Sequence, residues 1–441
     1  MKRTFPAPTF LLFVLALALS VPLLLGILAP AFVGVGVAGL LALLATTLAD
    51  YQAAIRPNDI VVDRHHEPRL YLAADNSIEV VVANRGRRPV AVRLRDTPPV
   101  AFKTSALFVG GLVQPGTSES FRYTTRPVAR GQYSFGDLTL RWRTPLGLLW
   151  RERRVPGTEQ VAVYPNLLEI EKYDLLARRG LLREAGLRSA RQLGRGTEFE
   201  SLRDYQPDDD YRRINWHATA RRHRPITALY ETEQSQRLMI VLDLGRMMLT
   251  RVGELTRLDA AINAALLLGY VALVRGDRVG LLGFADGVQV YLPPRRGKAH
   301  FYQIVESLYA IRARPVESSY ATAFTQLRRD LHGRSLIAFF TDLDDPDVAR
   351  LIARYLALLA RQHLPLCIAL NDPVLAARAE QVPDTGRQLY EKVVAALRVD
   401  ERAVVLEELH HAGVLTVDAP ADRLTFATIN RYVELKERAL L

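Results

Sequence analysis

The chain has 441 residues, of which 49% are hydrophobic and 24% charged, with a formal net charge of +11. That length is too great for one ordinary core, so two or three domains plus accessory segments are expected, and the apolar share supplies ample material to fold them. The single cysteine, Cys367, excludes an intrachain disulfide and a cysteine-based metal cluster, while the positive charge suits anionic lipid or nucleic acid as a contact.

The first 56 residues predict a membrane hairpin. Phe10 to Leu28 is almost wholly apolar, Pro30 interrupts, and Phe32 to Leu48 is apolar again. Each run approaches the roughly 20 residues that span a bilayer. A cleaved signal peptide is the rival reading, because Lys2 and Arg3 precede the first run, but the second run follows at once and LAPAF is a poor cleavage site. Lys2 and Arg3 at one end, Arg56, Arg64 and Arg69 after the second span, and an uncharged connector place both ends in the cytoplasm. The expectation is a two-pass protein of the cell's inner (plasma) membrane with cytoplasmic soluble domains. Ser20, Pro22, Gly34, Gly36 and Gly39 suit close helix packing.

Residues 57–166 alternate apolar and polar in short runs between turn signals: DIVVDR, RLYLA, SIEVVVANRG, VAVRLRD, SESFRYTTRP, GQYSFGDLTLRWRTP and QVAVYP. With no helical run long enough for a crossover, the strands should pair mostly antiparallel, as a β-sandwich of immunoglobulin-like kind. Adjacent His65 and His66 make a poor metal pair and read as surface histidines.

Residues 167–236 form a charged collar. The stretch from Gly194 to Glu233 interleaves acids and arginines with Phe199, Tyr205, Tyr211 and Trp216. Gln206-Pro207-Asp208 reads as a turn, and any of Asp208, Asp209 or Asp210 can cap a short helix running to about Ala220. Asp208 or Asp209 falls one turn before Arg212 or Arg213, and Arg212 one turn before Trp216. Two readings compete: a solvated face of weak ion pairs, and a docking platform with the composition of an interface hot spot. The platform reading assigns partner binding to Asp204, Tyr205, Asp208, Asp209, Arg212, Arg213, Asn215 and Trp216.

The segment EFESLRDYQPDDDYRRINWHATARRHRPITALYE, followed by LDLGRMM and later by NDPVLAARAE and INRYVELKERALL, closely resembles the signature of the bacterial family known as domain of unknown function 58 (DUF58). An N-terminal pair of membrane helices and a β-rich domain are usual in that family. The resemblance implies a von Willebrand factor A-like domain and association with ATPases of the MoxR type, which belong to the AAA+ class.

From residue 237 to 441 strands and helices alternate. LMIVLDLG, DRVGLLGFADG, GVQVYLPP, SLIAFFTDL and LPLCIAL read as strands, separated by helices such as LDAAINAALLLGYVALVRG and DVARLIARYLALLARQH. That rhythm predicts an α/β fold, a doubly wound, mostly parallel sheet with its ligand crevice at the strand C-termini. Asp243 and Asp342 each end an apolar run there. By resemblance this is where a von Willebrand A domain places its metal-adhesion site, with Ser318 or Ser319 standing for a distant threonine; the family pattern Asp-x-Ser-x-Ser is here Asp243, Gly245 and Met247, so both hydroxyls are missing. Mg2+ is the ion such a degenerate site would take, through Asp243, Ser318 and Asp342. The alternative is that the two aspartates cap following helices or pair with Arg246. A long helix through LYEKVVAALRVDERAVVLEELHH, a strand VLTV and a closing helix complete the sheet.

GxGxxG and Walker A patterns are missing, His363 and Cys367 flank Pro365 at the start of a predicted buried strand, and no catalytic constellation is legible. The expected function is therefore a non-enzymatic, membrane-anchored protein-binding scaffold; the family resemblance implies a MoxR-type ATPase as its partner, in complex assembly or maturation. No nucleic acid or small-molecule substrate is expected. Two rivals stand beside it: a metal-dependent hydrolase using Asp243, Asp342 and Asp204, and nucleic-acid binding by the Arg221 to Arg224 run.

Overall fold

The computed structural model describes residues 5–27, 29–178, 198–206, 211, 214–222, 224–231 and 236–438. These fall into two compact units, 1–164 and 165–441.

In the first unit two apolar helices, Phe10–Leu25 and Ala31–Ala53, pack against each other. Leu25 ends the first after 16 residues, about 24 Å at the helical rise, so it is shorter than the sequence run suggested. Close packing rests on two of the three glycines singled out above. A Cβ on Gly36 would lie 2.7 Å from the Leu23 side chain and one on Gly39 2.9 Å from Leu19, whereas Gly34 faces open space. Both outer ends of this hairpin meet one turn of the β structure. The Asp50 carboxylate accepts from the Thr144 hydroxyl at 2.5 Å and from the Leu146 N–H at 2.8 Å. Thr9 caps the first helix and donates its hydroxyl to the carbonyl of Gly147 at 2.8 Å. Arg151 stacks over Tyr51 at 4.0 Å and donates to the carbonyl of Ile55.

The rest of this unit is β structure in three sheets. A five-stranded sheet runs Phe5–Pro8, Leu149–Val155, Leu138–Arg143, Val90–Arg95 and Phe108–Val113; a four-stranded sheet runs Ile60–His66, Asn76–Asn84, Ser118–Pro127 and Phe102–Thr104. A three-stranded sheet joins Arg69–Tyr71, Glu159–Tyr164 and Gly131–Phe135. Pairing is antiparallel except between Arg69–Tyr71 and Glu159–Tyr164. Alternation buries one face of strands such as Asn76–Asn84, where Ile78, Val80 and Val82 are buried between half-buried or exposed neighbours. Two sequence expectations are corrected. His66 is no surface histidine: its side chain is buried and stacks on Phe135 with centroids 5.4 Å apart. Arg64, counted above among charges flanking the membrane span, is buried in a network, donating to Asp96 and to the carbonyl of Gly157 at 2.7 Å, while Asp96 also accepts from the Tyr123 hydroxyl at 2.6 Å.

The second unit is built on a six-stranded sheet whose strands we number β1 (Arg237–Asp243), β2 (Arg278–Phe284), β3 (Val288–Arg295), β4 (Leu336–Thr341), β5 (Leu364–Asn371) and β6 (Leu415–Pro420). Their order is β3-β2-β1-β4-β5-β6, with only the β2–β3 pair antiparallel. β1, β2, β4 and β5 are buried on both faces and read as continuous apolar runs, as a parallel sheet covered by helices requires. The Arg257–Val274 helix is almost wholly buried against this sheet and the C-terminal Ala421–Glu437 helix. This helix and the segment Ala31–Asp59 are the two described here that are long and apolar enough to cross a membrane, but 83% of the first window is buried against 6% of the second.

The collar differs from its sequence reading. Glu198–Asp204 is a strand paired antiparallel with Ile226–Glu231, and the helix spans Trp216–Arg222. Its cap is Asn215, whose side-chain oxygen accepts from the Ala218 N–H at 3.0 Å, so an aspartate at 208–210 does not start it.

Candidate functional site

The middle of the β3-β2-β1-β4-β5-β6 order, between β1 and β4, is the point where successive crossovers diverge and a crevice forms beyond the strand ends. Asp243 closes β1 there and Asp342 follows β4. The two carboxylates have different surroundings.

Asp243 is surrounded by donors. One oxygen accepts from the Ser318 hydroxyl and from the Gly245 N–H at 2.9 Å; the other accepts from the Tyr320 hydroxyl at 2.8 Å and the Thr341 hydroxyl at 2.9 Å. These four bonds use the acceptor positions of an ionised carboxylate. Gly245 permits the arrangement, because a Cβ there would come 2.0 Å from the Ser318 Oγ. Any side chain at 245 would have to displace Ser318. Burial and the neighbouring Asp243 charge push the Tyr320 hydroxyl far above its usual range, so it stays a donor.

Asp342 faces an arginine instead. Arg257, with its side chain 4% exposed, pairs with one Asp342 oxygen and, at 2.5 Å, with Asp344. Arg402 reaches Asp344 at 2.7 Å and Asp418 at 2.8 Å, and donates to the carbonyl of Leu370 at 2.9 Å. The other Asp342 oxygen is buried without a hydrogen bond, with Arg402 3.9 Å away. Burial raises the Asp342 carboxyl to about 7, opposed by Arg257 and Arg402 and reinforced by the Asp344 charge.

The sequence therefore located the strand ends, and the structure joins Asp243 directly to Ser318. It gives Asp342 a separate partner. The set does not fit a divalent cation as arranged: the Asp243 acceptors are filled by protein donors, and a guanidinium already neutralises Asp342. Among the described residues no cluster of three histidine, cysteine or acidic side chains is placed to hold a metal. Arg257, Arg402, Asp344 and Asp418 were missed as members of this cluster. One signal for Arg257 was available: a cation in the first turn of an apolar helix opposes the macrodipole, so a carboxylate should stand nearby. Cys367 lies fully buried in β5, where burial pushes its thiol to about 12, the environment of an inert core residue.

Of the collar residues, Asp208, Asp209, Arg212 and Arg213 lie outside the described residues. Asp204 pairs with Arg224 at 2.8 Å, both 57% exposed, in contrast to the buried strand-end aspartates. Tyr205 is half-buried and donates its N–H to the carbonyl of Pro225 at 3.0 Å, while Asn215 acts as the helix cap. Trp216 and Tyr211 are 70% and 65% exposed. A second exposed surface was not foreseen. Along the Gly386–His411 helix, Leu389, Tyr390, Val393, Val394 and Leu397 are all exposed and repeat at helical spacing, with Val382 just before them.

Residues 201–396 match the family model described as Protein of unknown function DUF58. That match takes in the collar from residue 201 onward and the sheet through β5, and supports the resemblance carried by the collar signature. Similar proteins include the uncharacterized protein Mb1516 of Mycobacterium bovis and the uncharacterized protein Rv1480 of Mycobacterium tuberculosis, each 26% identical over 267 residues, covering 56% of this chain and 82% of the relative. Among solved structures, a CARDB domain from Pyrococcus furiosus is similar at 13% identity and a TM-score of 0.17, covering 24% of this chain and 94% of that one. Proximal thread matrix protein 1 of the mussel byssus reaches 0.27 at 12% identity, covering 46% of this chain and 47% of that one. At such scores neither likeness bears on the fold.

Proposed function

We propose that this chain is a DUF58 protein that acts by contact: a membrane-anchored, non-enzymatic scaffold whose second unit, of von Willebrand factor A-like type, binds a protein partner. The observation that carries this reading is the exposed apolar ridge from Leu389 to Leu397, because soluble surfaces rarely leave such a stripe uncovered unless something docks on it. The exposed Trp216 and Tyr211, with the exposed Asp204–Arg224 pair of the same collar, add the aromatic and arginine composition of interface hot spots. The strand order with one antiparallel edge supports the A-like assignment, and the two larger sheets of the first unit support a β-sandwich. The partner implied by family resemblance is a MoxR-type AAA+ ATPase, with complex assembly or maturation as the setting. The apolar Phe10–Leu25 and Ala31–Ala53 pair would be the anchor; both outer ends meet the same turn, which favours a hairpin with both ends on one side, and the lysine and arginine pattern of the sequence makes that side the cytoplasmic one in this reading.

The test is affinity purification of the full chain from detergent-solubilised native membranes. A MoxR-type ATPase should be retained, and Trp216→Ala or Leu389→Glu with Leu397→Glu should reduce its yield. Equal yields from wild type and all variants, or no ATPase in any nucleotide state, would sink this assignment of partner and surface.

A further inference from the structure

We infer that the outer face of the five-stranded sheet in the first unit is a binding site for the phosphate headgroups of anionic lipids. Cross-strand register places the side chains in rows on that face. Arg143 lies opposite Trp150, Arg141 lies between Glu152 and Arg93, and Arg95 lies opposite Phe108. Gly110, opposite Arg93, contributes no side chain, and a Cβ there would strike the Val92 carbonyl oxygen at 2.2 Å. The result is a concavity of about 770 Å³ lined by these residues.

Its charge is unbalanced. Glu152 pairs with Arg141 at 2.5 Å, while no carboxylate pairs with Arg93, Arg95 or Arg143 among the described residues. Those three instead lie against rings: Arg143 sits 4.9 Å and Arg93 6.0 Å from Trp150, and Arg95 lies 5.9 Å from Phe108. Stacking holds a guanidinium's plane while leaving its edge N–H groups free to donate to an anion, and a planar fork suits phosphate better than an ammonium does.

Placement selects lipid over other anions. Arg143 and Trp150 flank the 144–149 turn, the turn that holds Asp50 and Thr9 at the two outer ends of the apolar hairpin. Leu146 on that turn is 59% exposed, and Leu112 and Phe108 are exposed beside the arginines. Arginine, tryptophan and exposed leucine next to the end of an apolar helix pair is the composition of a membrane interface.

This inference rests on the membrane-anchored reading, and the two can fail separately. Resistance of the full chain to carbonate extraction from native membranes tests the anchor alone. For the site, the full chain carrying Trp216→Phe is held in neutral detergent micelles and titrated with dihexanoyl phosphatidylglycerol or dihexanoyl phosphatidylcholine, following Trp150 emission against the buried Trp142. Saturable binding of the phosphatidylglycerol and not of the phosphatidylcholine is expected. Removing two arginines with R93A/R143A should weaken it about thirtyfold. R93K/R143K should recover part of that loss, and unchanged circular dichroism will show that the variants fold. Equal response to both lipids, or wild-type affinity in R93A/R143A, overturns the inference. So does competition by glycerol phosphate at the lipid's own concentration, which would make this a site for soluble anions, or tighter binding of an acidic peptide of equal charge, which would make it a protein site.

Discussion

Replacing Arg257 with methionine removes the cation from the buried pair at the end of β4. The cost follows from the surroundings. Asp342 is 2% exposed, one of its oxygens already has no hydrogen bond, and Asp344 keeps Arg402 when Arg257 is gone. Stranding a buried carboxylate costs about 3–5 kcal/mol, so the loss should fall mainly on Asp342. It should also depend on pH. The Asp342 carboxyl is raised to about 7 in the folded protein, above its unfolded value of about 4. A raised pKa contributes stability that is fully present below the unfolded value and is lost as pH rises through the folded one. Near pH 5 Asp342 is largely protonated and needs Arg257 little; near pH 8 it is ionised and needs it fully. Arg257→Met should therefore destabilise the second unit by about 3–5 kcal/mol at pH 8 and by clearly less at pH 5. Adding Asp342→Asn should recover most of the pH 8 loss. Cys367 supplies the assay, being the single cysteine and buried in β5 beside β4, so its labelling by a thiol reagent reports opening of this unit alone. Rates compared at one pH should rise about 150- to 5,000-fold in Arg257→Met at pH 8. A loss below about 1 kcal/mol, or the same loss at both pH values, would refute the ion-pair reasoning.

Three further outcomes are expected. Asp342→Asn alone should flatten the fall in stability between pH 5 and pH 8; a change in midpoint that is constant with pH would contradict the raised carboxyl. Tyr320→Phe removes one donor to the Asp243 carboxylate and should cost about 1.5–3 kcal/mol in the same labelling assay. Millimolar Mg2+ should leave both wild type and this variant unchanged, and a rise in midpoint that saturates with Mg2+ would show the donor set opening to a cation. Gly36→Leu should destabilise the hairpin by about 1–3 kcal/mol through overpacking against Leu23, while Gly34→Leu, facing open space, should not. Equal thermal shifts for the two in detergent would remove the close-packing argument.

The α/β rhythm was legible because β1, β2, β4 and β5 are short continuous apolar runs between amphipathic or apolar helices, and each run means one thing in a parallel sheet. The first unit was less transparent. Phe108–Val113 carries two glycines, and Leu149–Val155 places Arg151 and Arg153 on its buried face, where they serve the Tyr51 to Pro57 backbone and ring. Their strand signal is hidden because the usual apolar-in alternation is inverted. The collar hairpin was hidden for a related reason: Glu198–Asp204 is dense in charge, and its pairing partner lies beyond a helix. At the site, aspartates at strand ends can be found by position alone. What neutralises them cannot, since Arg257 and Arg402 come from helices 85 and 58 residues away from their acidic partners.

The central claim is that the second unit works by gripping another protein. Its most direct test is a photo-crosslinking residue placed at Leu397 in the full chain in native membranes, with the same residue at exposed Val274 as a control. The account predicts discrete protein adducts at 397, absent from the control and lost when Leu389→Glu disrupts the ridge. No adduct at 397, or the same adducts at both positions, would contradict it.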